Sequence, residues 1–227
     1  MNEVYAVGDL HGDWGRLNEL INKKSPSIIL QCGDFGWWPK LEVKKPVLYD
    51  MQKEWKLRGV KHKSTHIFWC DGNHEDHWNL RDNVGLIDYG NVHYQERGST
   101  LILPDGRSVL FLGGAESVDR DQRILGIDWF PEELISSDDL DHALRFNLSK
   151  IDIVVSHTCP EEFDMTSNSF KINDPSRVAL SRVLEKYKPD LWYFGHWHKH
   201  KKGQYLNTKW TALDYPGHGG VWWEMLK

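Results

Sequence analysis

The sequence predicts an α/β fold, in which short buried strands alternate with amphipathic helices. Apolar runs of strand length occupy residues 4–7, 28–32 and 67–70, and each run leads directly into a polar loop that contains glycine. Two more runs of this kind follow later in the chain, at residues 151–155 and 191–194. Continuous apolar runs of this length are typical of strands that are buried on both faces, as in parallel sheets.

Helical periodicity accounts for two of the segments between these strands. Apolar residues recur at helical spacing from Trp14 to Ile21, directly after the first polar loop. A second helix is predicted to begin after Asp174, because aspartate is a favourable N-cap and Pro175 fits the first helical position. Strands that alternate with helices in this way favour βαβ units.

Turn residues and apolar patterns predict the remaining strands. Asp105 and Gly106 separate apolar segments at residues 100–103 and 108–112, and they supply the positive φ angles of a tight hairpin turn. Residues 204–213 and 220–226 are predicted to be closing strands. Because no linker-like stretch interrupts the chain, we expect two sheets, one after the other, in a single domain spanning residues 1–227.

The composition is that of a globular chain without a strong overall charge. Of the 227 residues, 40% are hydrophobic and 27% are charged, which is enough apolar material for a large core. The net charge of −5 provides no global positive field, so any phosphate group must be bound locally. We expect no membrane span and no secretory signal. Three cysteines without a CxxC pair argue against a disulfide framework, and a cytoplasmic location is expected.

The residues that carry chemistry lie in five polar loops, each at the carboxyl end of a predicted strand. These loops contribute two carboxylates, one amide and five imidazoles, from Asp9, His11, Asp34, Asn73, His74, His157, His196 and His198. Loops in this position are where α/β sheets build their sites. A single such loop is usually a capped turn, but five of them favour a shared metal site.

The donor atoms indicate which ions this site would hold. A set that mixes imidazoles with carboxylate and amide oxygens favours Mn, Fe, Zn, Ni or Co over Ca or Mg. We expect two divalent ions, with Mn first among them. Their four positive charges exceed the two negative charges of Asp9 and Asp34, so the surplus would attract a phosphate group.

The order of the loops resembles the calcineurin-like metallophosphoesterase superfamily. The motifs are GDxHG at 8–12, GD at 33–34, GNHE at 72–75, histidine at 157 and GHxH at 195–198. The resemblance implies a four-layer αββα sandwich of two mixed sheets, with the metal site at the strand ends. Together the motifs span most of the chain.

The resemblance also implies a role for each residue of the loops. It gives two sets of metal ligands that share Asp34: the first is Asp9, His11, Asp34 and His198, and the second is Asp34, Asn73, His157 and His196. His74 would bind no metal and would protonate the leaving oxygen. Two divalent ions acidify a water molecule and so provide the nucleophile for attack on phosphorus.

The second motif departs from the GDxxDRG pattern of the protein phosphatases in this superfamily. Residues 33–39 read GDFGWWP, so Trp37 and Trp38 replace the Asp that orients the catalytic histidine and the Arg that holds phosphate. The GDFG form resembles bacterial and phage members. A phosphodiester carries one negative charge and needs fewer cationic contacts than a monoester. The sequence therefore favours a phosphodiesterase, and it leaves open which carboxylate orients His74.

Four further residues are candidates for contact with a phosphoester substrate, for which a nucleotide or nucleic acid is one fitting class. Trp37 and Trp197 lie near the proposed ligands, where an indole could stack on a nucleobase, although a tryptophan is more often a core residue. Arg120 and Arg123 belong to a segment, GGAESVDR followed by WFPEE, that resembles bacterial and phage members of unassigned substrate. A surface loop with solvated charges is the alternative there.

Two other functions remain open on the sequence alone. A phosphomonoesterase of the protein phosphatase or dinucleotide hydrolase type is opposed by the replaced Asp and Arg. A non-catalytic protein-binding scaffold is opposed by the presence of all the ligand positions and His74. The sequence indicates no particular oligomeric state.

Overall fold

The computed structural model describes residues 3–37, 64–83, 90–146, 150–165 and 174–227. Its first sheet has five strands in the order β11, β1, β2, β3, β4. Their bounds are Val4–Val7 for β1, Ile28–Gln31 for β2, His66–Trp69 for β3, Val92–Tyr94 for β4 and Trp223–Met225 for β11. Strands β1 to β4 are parallel, and β11 is antiparallel to β1.

The second sheet has six strands in the order β5, β6, β7, β8, β10, β9. Their bounds are Thr100–Ile102 for β5, Ser108–Leu112 for β6, Ile153–Ser156 for β7, Leu191–Phe194 for β8, Lys201–Tyr205 for β9 and Thr208–Ala212 for β10. The four central strands are parallel, whereas β5 and β9 are antiparallel edges. Both sheets are therefore mixed, as predicted.

The α-helices of the described residues are α1 Trp14–Lys24, α2 His77–Asp82, α3 Ser137–Leu144 and α4 Pro175–Tyr187. Short 3-10 helices lie at Arg120–Gln122 and Pro131–Glu133. Helix α1 begins where the side chain of Asp13 accepts a hydrogen bond from the backbone N–H of Arg16. Helix α4 begins as predicted, because Asp174 accepts a hydrogen bond from the backbone N–H of Ser176. Both helices end at a residue in the left-handed conformation.

Three apolar clusters separate four layers. Helix α1 packs on the outer face of the first sheet through Leu17 and Ile21. Leu180 of α4 packs on the outer face of the second sheet. The inner faces meet in a third cluster that includes Leu30 and Phe111, so the predicted αββα sandwich is confirmed.

Two expectations about the closing strands are wrong. Residues 204–213, predicted as one strand, belong to a β9–β10 hairpin that turns at Leu206, which has a φ of 49°. Strand β11 does not extend the second sheet but returns to the first, where Tyr5 pairs with Met225. An apolar pattern identifies a strand but not its partner, so the two sheets do not simply follow one another along the chain.

Candidate metal centre

The polar loops that follow β1, β2, β3, β7 and β8 meet at the carboxyl ends of the parallel strands. The contacts described below bring together all eight side chains expected from the sequence: Asp9, His11, Asp34, Asn73, His74, His157, His196 and His198. Strands of both sheets contribute, because the two parallel sets end on the same side of the molecule.

Two glycines let these loops approach one another. A Cβ atom at Gly195 would overlap Oδ1 of Asp9, and one at Gly72 would overlap Oδ1 of Asp34. Because neither glycine has a Cβ atom, the aspartates can approach the backbone and accept hydrogen bonds from it. The N–H of His196 donates to Asp9 at 3.0 Å, and the N–H of His74 donates to Asp34 at 2.9 Å. The aspartates are thus held by the backbone of the loops opposite, which explains the glycine in each motif.

The first group of donor atoms contains Asp9, His11 and His198. Nε2 of His198 lies 3.3 Å from Oδ2 of Asp9 and 3.0 Å from Nε2 of His11. Nδ1 of His11 lies 3.6 Å from Oδ2 of Asp34. One donor atom from each of Asp9, His11 and His198 lies within 4.8 Å of the others, a spacing that one cation can bridge.

The second group contains Asp34, Asn73, His157 and His196. Nε2 of His157 lies 3.4 Å from Oδ2 of Asp34 and 2.9 Å from Oδ1 of Asn73. Nδ1 of His196 lies 3.0 Å from the same asparagine oxygen. Because Oδ2 of Asp34 also faces His11 of the first group, this carboxylate lies between the two groups.

The charges of the cluster favour a cation within it. Asp9 and Asp34 are only 0% and 1% exposed, so water does little to stabilise their charge. Burial raises the pKa of Asp34, but the surrounding imidazoles hold it well below its ordinary value. Burial lowers the pKa of His157, but the charges of Asp34 and Asp9 raise it to about 10. Buried carboxylates ringed by imidazoles and an amide oxygen therefore form a donor set that fits divalent ions.

His74 lies beside the two groups, and its ring contacts a cation. Its two ring nitrogens lie 3.1 Å and 3.0 Å from the guanidinium nitrogens of Arg123. Burial lowers the pKa of His74, and the charge of Arg123 acts in the same direction while Asp34 opposes it. The sequence left open which carboxylate orients this ring, and the group that the structure places against it is the guanidinium of Arg123.

The two candidate arginines differ in position. Arg123 forms an ion pair with Asp119, whose Oδ1 lies 2.7 Å from its Nη2. Arg120 is 44% exposed and forms looser ion pairs with Glu116 and Asp121, each at 3.6 Å. Of this pair, Arg123 is therefore the one that the structure joins to the site.

The indoles expected to stack on a substrate are engaged in packing. Trp37 donates from Nε1 to Oδ1 of Asn79 at 2.9 Å and packs against the cluster under α1. Trp197 is only 7% exposed, and the guanidinium of Arg177 lies 5.2 Å from its ring centroid. The stacking role of both indoles stays a prediction, and Trp38 lies outside the described residues.

A sixth loop, after β10, lies against the first donor group, although it received little weight from the sequence. The ring of Tyr215 lies edge-on to His198, with centroids 4.6 Å apart, and it stacks on His218 at 4.9 Å. Nδ1 of His218 lies 3.0 Å from Oδ1 of the buried Asp214. The signal was present, because residues 214–220 form a polar, glycine-rich loop directly after an apolar strand end.

Behind Asn73 lies a chain of buried hydrogen bonds to which the sequence assigned no role. Nδ2 of Asn73 donates to Oγ of Ser117 at 2.9 Å, and this hydroxyl donates to Oε2 of Glu133 at 2.6 Å. Burial raises the pKa of Glu133, and its hydrogen bonds from Ser117 oppose that rise. Ser117 and Glu133 both belong to the segment that carries the GGAESVDR and WFPEE motifs.

Comparison with known proteins identifies the family. A family model described as calcineurin-like phosphoesterase matches residues 3–200. The chain belongs to this family. Its members are dimetal-dependent phosphoester hydrolases, and the phosphoesterase described here carries groups of side chains that could hold metal ions. A comparison with curated protein sequences finds no match.

Solved structures share the fold of this phosphoesterase at low sequence identity. The phosphopantetheinyl hydrolase PptH from Mycobacterium tuberculosis superposes with a TM-score of 0.61 at 13% identity, covering 99% of this chain and 95% of that one. TT1561 of Thermus thermophilus gives 0.60 at 14% identity, covering 94% and 89%. In the described part of the chain, none of the helices has the length and apolar character that a membrane crossing requires.

Proposed function

We propose that this phosphoesterase is a binuclear metal-dependent phosphodiesterase, acting on substrates of the nucleotide or nucleic-acid type. The observation that carries the proposal is the pair of donor groups on either side of Asp34, with one guanidinium, that of Arg123, beside them. Loops of both sheets build this one site, which supports a single domain spanning residues 1–227.

The donor geometry supports a division of ligands between two ions. Asp9, His11, Asp34 and His198 would hold one ion, and Asp34, Asn73, His157 and His196 the other. Divalent ions in such a pair polarise the phosphoryl group and acidify a water molecule for attack. The mixed donor set fits Mn, Fe, Zn, Ni or Co, and Mn is the first to test.

Arg123 and His74 supply the chemistry that the ions do not. A phosphate oxygen beside Arg123 would receive charge-assisted hydrogen bonds from its guanidinium. His74 would donate a proton to the leaving oxygen as general acid. The positive charge of Arg123 disfavours a protonated His74 in the free protein, and a bound phosphate anion would offset that charge and favour the protonated acid.

The preference for a diester follows from the small number of cationic side chains. Among the described residues, Arg123 is the one arginine that contacts a member of the cluster, since Arg120 turns to Glu116 and Asp121. Trp37, which replaces an acidic residue of the protein phosphatase motif, is bound to Asn79. A monoanionic diester suits such a site better than a dianionic monoester. The nucleotide class is supported only through this preference, since Trp197 is nearly buried and Trp37 donates to Asn79.

A direct comparison of two esters tests the proposal. With Mn²⁺ present, kcat/KM for bis(4-nitrophenyl) phosphate should exceed kcat/KM for 4-nitrophenyl phosphate at the same pH. Asp34→Asn, which removes the shared carboxylate, should abolish both activities and so exclude a contaminating phosphatase. A clear monoester preference would instead establish the phosphomonoesterase alternative, and metal-loaded protein that hydrolyses neither ester would favour the scaffold.

A further inference from the structure

We propose that Glu133, acting through Ser117, is a positioning residue that sets the orientation of the Asn73 side-chain amide in the metal centre. The inference rests on the proposed function, because it concerns Asn73 as a metal ligand. An asparagine binds a metal ion through its carbonyl oxygen, and the same amide turned by half a rotation would present an NH₂ group that cannot bind. Some neighbouring group must therefore distinguish the two ends of the amide.

The three residues form an unbroken buried chain. Glu133 accepts two hydrogen bonds from Ser117, one from its backbone N–H at 2.7 Å and one from its hydroxyl at 2.6 Å. The hydroxyl oxygen of Ser117 accepts from Nδ2 of Asn73 at 2.9 Å. Exposures of 1%, 2% and 3% for Glu133, Ser117 and Asn73 leave little access for water to replace these partners.

The direction of each hydrogen bond follows from the carboxylate at the end of the chain. An ionised carboxylate only accepts, so the single hydroxyl hydrogen of Ser117 is committed to Glu133. The hydroxyl oxygen can then only accept from its other neighbour, which must present the NH₂ end of the amide. The oxygen of Asn73 is left facing the ring nitrogens of His157 and His196, at 2.9 Å and 3.0 Å.

The backbone around Ser117 holds this chain in register. The N–H of Gly114 donates to the carbonyl of Asp71 at 3.0 Å, and the N–H of Ala115 donates to the carbonyl of Glu133 at 3.0 Å. A Cβ atom at Gly114 would overlap the carbonyl oxygen of Glu133 and the guanidinium of Arg97. The motif GGAESVD followed by PEE thus places a hydroxyl and a carboxylate in line behind one metal ligand.

Glu133→Gln is the substitution that tests polarity without changing size. An amide at this position would present its NH₂ group to one of the two donors of Ser117. With the NH₂ group facing the hydroxyl, the hydroxyl hydrogen would turn toward residue 73 and favour the wrong end of the asparagine amide. An aspartate at position 73 has two equivalent oxygens, so either orientation of its side chain presents an oxygen to the metal. In the Asn73→Asp background, the direction of the Ser117 hydroxyl should therefore not affect metal binding.

The measurement is calorimetric titration of the metal-free protein with Mn²⁺. We expect two sites in the wild type and a loss of about 10–100-fold in affinity at one of them in Glu133→Gln, as for other residues that orient metal ligands. In the Asn73→Asp background, Glu133→Gln should cause no further loss. Glu132→Gln is the matched control, since Glu132 accepts from Nε1 of Trp78 at 3.0 Å and should leave both affinities unchanged.

The outcomes separate this inference from the proposed function. Wild-type protein that binds fewer than two ions would overturn the binuclear site itself. The positioning role alone would be overturned if Glu133→Gln bound two ions with the same affinities as Glu132→Gln. It would also be overturned if Glu133→Gln lost the same Mn²⁺ affinity with and without Asn73→Asp. If Glu133→Gln does not fold, Ser117→Ala decides, because it removes the acceptor of Nδ2 and should weaken the same ion, whereas an unchanged affinity would reject the role.

Discussion

His74 differs from the other histidines of the cluster in how it meets Asp34. Its backbone N–H, not its ring, donates to this carboxylate, and its ring nitrogens lie against Arg123. The loop that carries His74 is therefore fixed by the same aspartate that would hold the ions, while its ring faces Arg123. In the proposed function, metal binding and proton transfer would be separate tasks of neighbouring residues.

His74→Asn tests this separation. Metal content should stay near two ions per chain, while kcat/KM should fall by about 10²–10⁴-fold for an ester with a poor leaving group. The loss should be smaller for a 4-nitrophenyl ester, whose leaving oxygen needs little protonation. Elemental analysis and steady-state kinetics measure both effects. His142→Asn is the control, because Nδ1 of His142 lies 2.9 Å from the backbone oxygen of Arg97, outside the cluster. Loss of metal in His74→Asn would show that His74 is a ligand.

Single residues of the site were predictable where they follow a strand. Asp9, Asp34 and Asn73 each follow an apolar run within two or three positions, and the sequence predicted them to lie in one cluster for that reason. Asp119 contacts Arg123 of its own loop, and Tyr215 contacts His198 of another loop. No local sequence pattern predicts such side-chain contacts. What the sequence cannot show is which loops touch once the two sheets have packed.

At the scale of elements, a buried arginine connects strand β3 to helix α3. Arg97 donates to Oδ2 of Asp71, just past β3, at 2.6 Å and to Oδ2 of Asp139 at 2.9 Å. Asp139 also accepts from the backbone N–H of Ser136, while Oγ of Ser136 accepts from the N–H of Asp139, which closes a capping box at the start of α3. The helix start and the loop of Asn73 are thus held by one guanidinium.

Asp139→Asn should make the stability of the protein depend less on pH. Although burial opposes ionisation, Arg97 and Ser136 lower the pKa of Asp139, so its contribution is present above the unfolded aspartate pKa of about 3.9 and is lost as pH falls through the folded value. Urea unfolding should show the variant destabilised by about 1–3 kcal/mol at pH 7, with the gap narrowing below about pH 4. Asp138→Asn, an exposed neighbour, should show neither effect. A gap that stays constant with pH would contradict the ion pair.

Elements with local signals were predicted more accurately than elements without them. Helix α4 begins where Asp174 and Pro175 predicted, because capping depends on adjacent residues. The β9–β10 hairpin was read as one strand, because its turn places a leucine, Leu206, in the left-handed conformation that glycine usually signals. A turn without glycine is therefore difficult to recognise from an apolar pattern.

At the scale of the whole molecule, the candidate metal centre draws its side chains from both sheets. Asp9, Asp34 and Asn73 follow strands of the first sheet, whereas His157 and His196 follow strands of the second. In the absence of ions, the buried carboxylates and imidazoles must balance their charges among themselves. Bound ions would therefore stabilise the packing of one sheet on the other as well as the site.

Metal binding should accordingly raise the thermal stability of the chain. Mn²⁺ at about 100 times its Kd should add about 2.7 kcal/mol per site to the free energy of unfolding, and a chelator should reverse the gain. Differential scanning calorimetry of metal-free and Mn²⁺-loaded protein measures the shift in Tm. Asp34→Asn should lose most of it, since this carboxylate faces both groups. An unchanged Tm in the wild type at saturating Mn²⁺ would argue against ions that bridge the sheets.

The pairing of β11 with β1 has a consequence for biosynthesis. Residues 201–225 supply β9 and β10 to one sheet and β11 to the other, so neither sheet is complete until this stretch has left the ribosome. By then every proposed ligand, from Asp9 to His198, has already been synthesised. Because contacts between distant parts of a chain form late and slowly, a nascent chain would carry all its metal-binding side chains before it has the finished sheets that align them. Catalytic competence would thus be a late event in folding, reached only when β11 meets β1.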